Sequence, residues 1–256
     1  MREFESKTTD GPDPAVPDHL PTAAGDSQLQ SQTLESLADA KNYHRWLTDL
    51  ARPYLGDHPI ELGSGLGDYA QQWLDDGVPR ITVTEVDPPR LAGLRARFAG
   101  DDRVTVTGIN VFDPPSADHS AFAAFNVLEH LDNDVEALRA AHRLVRPGGR
   151  VIMLVPAFEF AMSRFDREVG HFRRYTVHSL AECMGAAGLR IDRIQYVNMP
   201  GLLAWFIGMR LLRMTPGDGP IVRVWDKRVI PVTRRLENRL RAPFGQSVFA
   251  VAHTPG

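Results

Sequence analysis

Cysteine is almost absent from this chain: Cys183 stands alone among 256 residues. One thiol cannot close an internal disulfide, so a reducing, cytoplasmic setting is expected. Long apolar runs are missing too, so the sequence predicts no membrane span. No apolar core follows the basic residue at the N-terminus, which argues against a signal peptide. Excess positive charge is also lacking. With 29 Lys and Arg against 32 Asp and Glu, the net charge is −3, and a nucleic acid held through its phosphates is not expected as a partner. Large apolar residues are scarce at residues 1–28, a stretch rich in Pro, Asp, Thr, Ser and Gly that predicts a disordered tail. The remainder, 29–256, reads as one domain with enough apolar residues for a sizeable core.

What is present is organised around Pro59-Ile60-Glu61-Leu62-Gly63-Ser64-Gly65-Leu66-Gly67-Asp68. A short apolar strand carrying a carboxylate leads into alternating glycines and then an amphipathic segment, which reads as strand, tight turn and helix start. Glycine lets the backbone turn sharply and lets a ligand approach closely. The dinucleotide version, G-x-G-x-x-G, requires glycine at position 68, where this chain has Asp68. Glu61, two residues before the first glycine, would repel a pyrophosphate but suits a ligand with an ammonium group. Together these favour S-adenosylmethionine (SAM) over an anionic dinucleotide.

Upstream, apolar residues at helical spacing from about Leu34 to Leu50, ended by Pro53, predict capping helices within 29–56. Tyr43 or Trp46 on them could overhang the cofactor or serve only the core. Downstream, strands are expected at 81–86, 104–107, 122–125 and 150–155, with helices beginning at Pro88 and Asp134. Such alternation predicts a parallel sheet covered by helices on both faces, with ligands at the edge where the strands end. Residues 176–187 read as a helix and 191–197 as a strand. Residues 199–246 read as a helical insertion before a last strand at 247–252, with the basic stretch 222–240 broken at Pro231.

At the end of the second strand Glu85, with Val86 beside it, lies 18 positions after Gly67, where a carboxylate can accept bonds from both hydroxyls of a ribose. Asp87 competes, but Pro88 assigns it to the turn. Asn110 and Val111 could read an adenine edge or simply form a turn. These motifs, with Asn126-Val127-Leu128-Glu129-His130-Leu131 and Arg146-Pro147-Gly148-Gly149, resemble class I SAM-dependent methyltransferases over roughly residues 40–198 and, more loosely, the final strand. The resemblance implies an α/β, Rossmann-like fold with a seven-stranded, mostly parallel sheet whose last strand is antiparallel. It implies that Gly63, Ser64, Gly65 and Gly67 pass under the methionine part of SAM, with Glu61 near its ammonium. Glu85 would hold the ribose, Asn110 and Val111 would border the adenine, and Asn126 and Leu128 would line the floor beneath the methyl. Asn110 departs from the aspartate of many relatives. Gly170-His171-Phe172-Arg173-Arg174-Tyr175 resembles a subgroup motif linked to polysaccharide, glycolipid and secondary-metabolite pathways.

Methyl transfer from a sulfonium is an in-line displacement, in which alignment alone is worth about 7–11 kcal/mol. A hydroxyl acceptor also needs a base, worth about 10²- to 10⁴-fold. His171, His130 and Asp166 are candidates. His171 fits best, since histidine exchanges protons near neutrality and Arg173, Arg174 and Tyr175 could hold a polar acceptor. Asp166 could instead pair with Arg164 or Arg167. His171, Asp166 and Glu168 show no metal-ligand spacing, so no metal is expected. The apolar run Leu202 to Met214 is read as a core helix, as a wall of a lipophilic acceptor pocket or homodimer contact, or as a peripheral membrane contact serving a lipid-linked acceptor. The expected activity is SAM-dependent methylation of a hydroxyl on a glycoside, glycolipid or natural product. The rivals are a SAM-fold protein that cyclises, rearranges or acts as a scaffold, and a nicotinamide oxidoreductase.

Overall fold

The computed structural model describes residues 25–37, 40–212 and 220–256. Most of the stretch read as a tail, 1–24, lies outside the described residues. The strands assemble as a seven-stranded sheet in the order β3-β2-β1-β4-β5-β7-β6. In chain order these are β1 (Ile60–Leu62), β2 (Ile81–Thr84), β3 (Val104–Thr107), β4 (His119–Phe125), β5 (Val145–Pro156), β6 (Arg190–Val197) and β7 (Ser247–His253). β1 to β5 pair in parallel, while β7 runs antiparallel to both β5 and β6. The β1, β2, β4, β5 and β6 ends therefore share one edge. This is the sheet that the resemblance to class I methyltransferases implies.

Strand periodicity divides the core into two layers. Ile60, Phe122, Ala124, Val151 and Met153 face helices α5 (Asp134–Leu144) and α7 (Val177–Ala186). Ala121, Ala123, Phe125, Ile152 and Leu154 face the opposite layer with Trp46, Trp73 and Leu94. Those three come from helices α2 (Lys41–Ala51), α3 (Asp68–Asp75) and α4 (Pro88–Arg97). Pro88 opens α4 as expected, and Asp87 caps it by accepting the Arg90 N–H at 3.0 Å. Thr176 and Ser179 form a capping box at the start of α7.

Three local readings are corrected. The capping helices begin earlier than expected: α1 (Ser27–Leu37) starts inside the stretch read as tail, and α2 follows it. No side chain of its own caps α2. The Asp226 carboxylate accepts the N–H groups of Asn42 (3.0 Å) and Tyr43 (2.9 Å) instead. Asp226 lies on α9 (Pro220–Glu237), which runs through Pro231 without the expected break. Finally, the apolar segment after 199 is not a core helix. It forms α8 (Met199–Trp205) and a π-helical stretch, Phe206–Leu211. Leu202 is buried, but Leu203, Ile207 and Leu212 are 55%, 52% and 64% exposed. Arg213 and Met214 lie outside the described residues. Among the described residues, no helix is long and apolar enough to cross a membrane.

Candidate functional site

Among the described residues, three non-glycine residues have positive φ: Asn126 (54°), Phe158 (63°) and Asn198 (65°). They follow β4, β5 and β6 at the shared edge. Such backbone costs about 1–3 kcal/mol per residue and persists where its surroundings enforce it. The glycine turn lies at the same edge, after β1. Gly63 and Gly65 take φ of 64° and 56°, and added Cβ atoms would stand 2.7 Å from Val127 Cγ2 and 2.9 Å from Leu34 Cδ1. Ser64 ties the turn to β2: its N–H donates to the Thr84 carbonyl (2.7 Å) and its hydroxyl oxygen accepts the Thr84 N–H (3.2 Å).

Beneath this turn lies Glu61, 3% exposed, whose Oε2 has no hydrogen-bond partner. Burial pushes its carboxyl up to about 8, against a smaller downward pull from Ser64. A buried acceptor without a donor fits the ammonium of SAM, and a pyrophosphate offers it nothing. Glu85 is more constrained than the sequence suggests. It accepts the N–H groups of Gly65 (3.1 Å), Val86 (2.8 Å) and Asp87 (3.0 Å), and the Arg90 guanidinium stands 3.2 Å away. To hold a ribose it must give up one of these partners.

The remaining cofactor candidates divide. Asn110 Oδ1 accepts the Phe112 N–H at 3.0 Å, the turn alternative, while Val111 is buried in the core. Asn126 is exposed, whereas the Leu128 side chain is buried against α5. Tyr43 packs edge-on to Trp46, its phenol raised by burial against a smaller downward pull from Ser247 and Asn198 near the ends of β7 and β6. Trp46 is 2% exposed, so of its two readings the core one holds.

The Gly170–Tyr175 segment docks the loop after β5 on the loop after β4. The Phe172 N–H donates to the Glu129 carbonyl (2.8 Å). Arg173 pairs with Asp134 at 2.7 Å, and the Tyr175 hydroxyl donates to Asp134 at 2.9 Å. Arg174 is buried on Asp166 (2.7 Å) and lies over the Trp205 ring. Neither arginine is thus free to hold an acceptor, and Asp166 pairs with Arg174 rather than with Arg164 or Arg167. His171 Nδ1 is 2.9 Å from Asp166 Oδ1. Burial alone would push Asp166 up, but His171, Arg174 and Ser163 hold its carboxyl well below the usual range. Ionised Asp166 keeps the imidazole proton on Nδ1 and leaves the lone pair on Nε2.

That lone pair points toward a residue the sequence reading left without a role. Glu129 follows β4 on a 3-10 turn, Leu128–His130, fully buried with both carboxylate oxygens unpartnered. Its Oε1 is 4.0 Å from His171 Nε2, and burial pushes its carboxyl up to about 7. The His130 ring stands edge-on to His171 at 4.6 Å. Burial, then His171 and Arg90, lower His130 to about 3, so it is neutral. A charged residue inside an apolar block, Asn126 to Leu131, was the available signal. A separate hollow of about 690 Å³, lined by β6 residues such as Arg193 and by Arg239 of the segment after α9, contains no residue of this cluster or of the glycine turn.

Comparison with known proteins agrees with this geometry. Residues 60–151 match the family model described as a methyltransferase domain. A Mycolicibacterium smegmatis protein described as a "probable S-adenosylmethionine-dependent methyltransferase" is 27% identical over 190 residues, 71% of this chain and 70% of its own. Among solved structures, the SAM-dependent methyltransferase from Mesorhizobium loti is similar with a TM-score of 0.56 at 13% identity, over 80% of this chain and 95% of that one. The cyclase SpnF gives 0.58 at 19% identity, over 91% and 98%. Residues 60–151 thus resemble a methyltransferase domain, and the chain shares its fold with a solved SAM-dependent methyltransferase.

Proposed function

We propose that this chain transfers a methyl group from SAM to a hydroxyl of a small-molecule acceptor, a glycoside, glycolipid or natural product. The observation that carries the cofactor is the orphaned, buried Glu61 carboxylate beside a turn closed by three positive-φ glycines. When bound, SAM supplies an electrophilic methyl on a positively charged sulfur. Glu61 would take the ammonium, and Gly63, Gly65 and Gly67 would keep the backbone low beneath the ligand. On the acceptor side, His171 presents Nε2, its ring fixed by Asp166, to receive the hydroxyl proton as the new carbon–oxygen bond forms. The rest is alignment, which the rigid post-β4 and post-β5 loops provide.

The test is calorimetry with SAM and NAD, followed by a search for release of S-adenosylhomocysteine with candidate glycosides. SAM is expected to bind and NAD not, and Glu61→Gln should weaken SAM about tenfold or more. Preference for NAD, or unchanged SAM affinity in the variant, would overturn the cofactor assignment. Conversion of acceptor with no S-adenosylhomocysteine released would favour rearrangement or cyclisation over transfer.

A further inference from the structure

We propose that Glu129, His130 and His171 form a binding site for one divalent first-row transition-metal ion. Among the described residues, these three alone bring metal-ligating atoms together, all within 4.8 Å of one another. Each is available for coordination. Both Glu129 oxygens and His130 Nδ1 are buried and without hydrogen-bond partners. Among the described residues nothing neutralises Glu129 at hydrogen-bond distance, although an unpaired buried carboxylate is costly. His171 offers Nε2, because its Nδ1 is engaged by Asp166.

That last contact is the carboxylate–imidazole pairing that orients ligating histidines and fixes their tautomer. Asp166 is itself held by Arg174 and by the Ser163 hydroxyl (2.6 Å). It is therefore a positioning residue. Two neutral imidazoles and one carboxylate suit zinc, iron or cobalt better than magnesium or calcium, which prefer all-oxygen shells. Ligands about 2.0–2.2 Å from such an ion stand roughly 3–3.5 Å apart, so the side chains must close by about an ångström around it. Three protein ligands leave a coordination position for water or an acceptor hydroxyl, the pattern of catalytic rather than structural sites.

This deepens the methyl-transfer reading, on which it rests for the identity of that fourth ligand, and revises it at one point: with Nε2 on the ion, His171 would not take the hydroxyl proton, and the ion would instead acidify the bound hydroxyl so that its proton passes to water. The sequence expectation of no metal considered Asp166 and Glu168 with His171. The fold instead joins two residues after β4 to one 41 positions later.

The experiment is titration of chelator-treated full-length protein, without SAM, using Zn²⁺ by calorimetry and Co²⁺ by visible absorption. One ion per chain at micromolar affinity or better is expected. Glu129→Gln and His130→Gln should each weaken it at least tenfold, and Asp166→Asn by about 10- to 100-fold. His119→Gln, on the opposite edge of the sheet, should change nothing. Absence of stoichiometric uptake, or uptake indifferent to Glu129→Gln and His130→Gln, overturns the proposal. Should those variants fail to fold, crystals of the unmodified protein soaked in Zn²⁺ decide by anomalous scattering: a peak among the three side chains supports the site, and no peak there overturns it. SAM affinity measured in parallel separates the two readings. SAM binding without an ion removes the metal alone, whereas an ion without SAM removes the transferase reading.

Discussion

A carboxylate held protonated at neutral pH has measurable consequences, and Glu61 is the case in point. Its folded-state pKa of about 8 lies above the ordinary 4.5. Between these values the native state binds the proton that the unfolded state has lost. The stability Glu61 contributes is thus complete below about pH 4.5 and is lost as pH rises toward 8. The melting temperature of the ligand-free protein should fall more steeply over that window than that of Glu61→Gln. SAM binding at pH 7 should expel about one proton, read by calorimetry in buffers of different ionisation enthalpy, and the variant should expel none. An unchanged proton count in Glu61→Gln would mean that the ammonium lies elsewhere. Backbone strain gives a second prediction. Asn126 is exposed at φ 54°, a region asparagine tolerates and β-branched residues do not. Asn126→Val should cost about 1–2 kcal/mol and Asn126→Gly only a few tenths in denaturant unfolding, whatever this residue does for the cofactor.

Among the elements, those legible in the sequence are those whose signal is local. Pro88 after Asp87, Thr176 before an apolar run and the β-branched strand at 81–84 each carry their own start signal, and all appear where expected. α2 and α8 did not, for different reasons. The cap of α2 comes from Asp226, 184 positions from Asn42, which no window of sequence can show. Asp226→Ala should therefore cost about 1–2 kcal/mol, as loss of an ordinary N-cap does, although it lies at the middle of another helix. The segment after Asn198 is apolar around its whole circumference, so periodicity could not say which side is buried. Leu202 faces inward while Leu203, Ile207 and Leu212 face out. Leu202→Ala should destabilise by about 2–3 kcal/mol, while Leu212→Asp stays within about 0.5 kcal/mol in the monomer. A larger loss for Leu212→Asp that depends on protein concentration would show that a second copy covers this face.

Across the whole molecule, the sheet converts sequence order into proximity at one edge. The glycine turn, Glu85 and the Asn126–Leu131 block could be placed at that edge from sequence because each follows a strand. The Asp166–His171–Glu129 arrangement was not, because it depends on the loop after β5 folding back over the loop after β4. α1 spans both halves of this edge. Ser27 bonds to Asp87 and contacts Arg90 at 3.3 Å, Leu34 lies over Gly65, and the Asp26 N–H (2.9 Å) and Gln30 amide (2.8 Å) donate to the Glu168 and Val169 carbonyls. The helix therefore touches the glycine turn, the end of β2 and the loop that carries His171. Ligand binding over the turn must alter the contacts of Leu34, and α1 links that residue through Asp26 and Gln30 to the carbonyls of Glu168 and Val169. In full-length protein, SAM is expected to slow amide hydrogen exchange at 61–68 and at 168–171 together. In protein lacking residues 1–37, exchange should slow at 61–68 alone. Equal slowing at 168–171 in the truncated chain would mean that the two halves communicate through the sheet, and that α1 is only a cover.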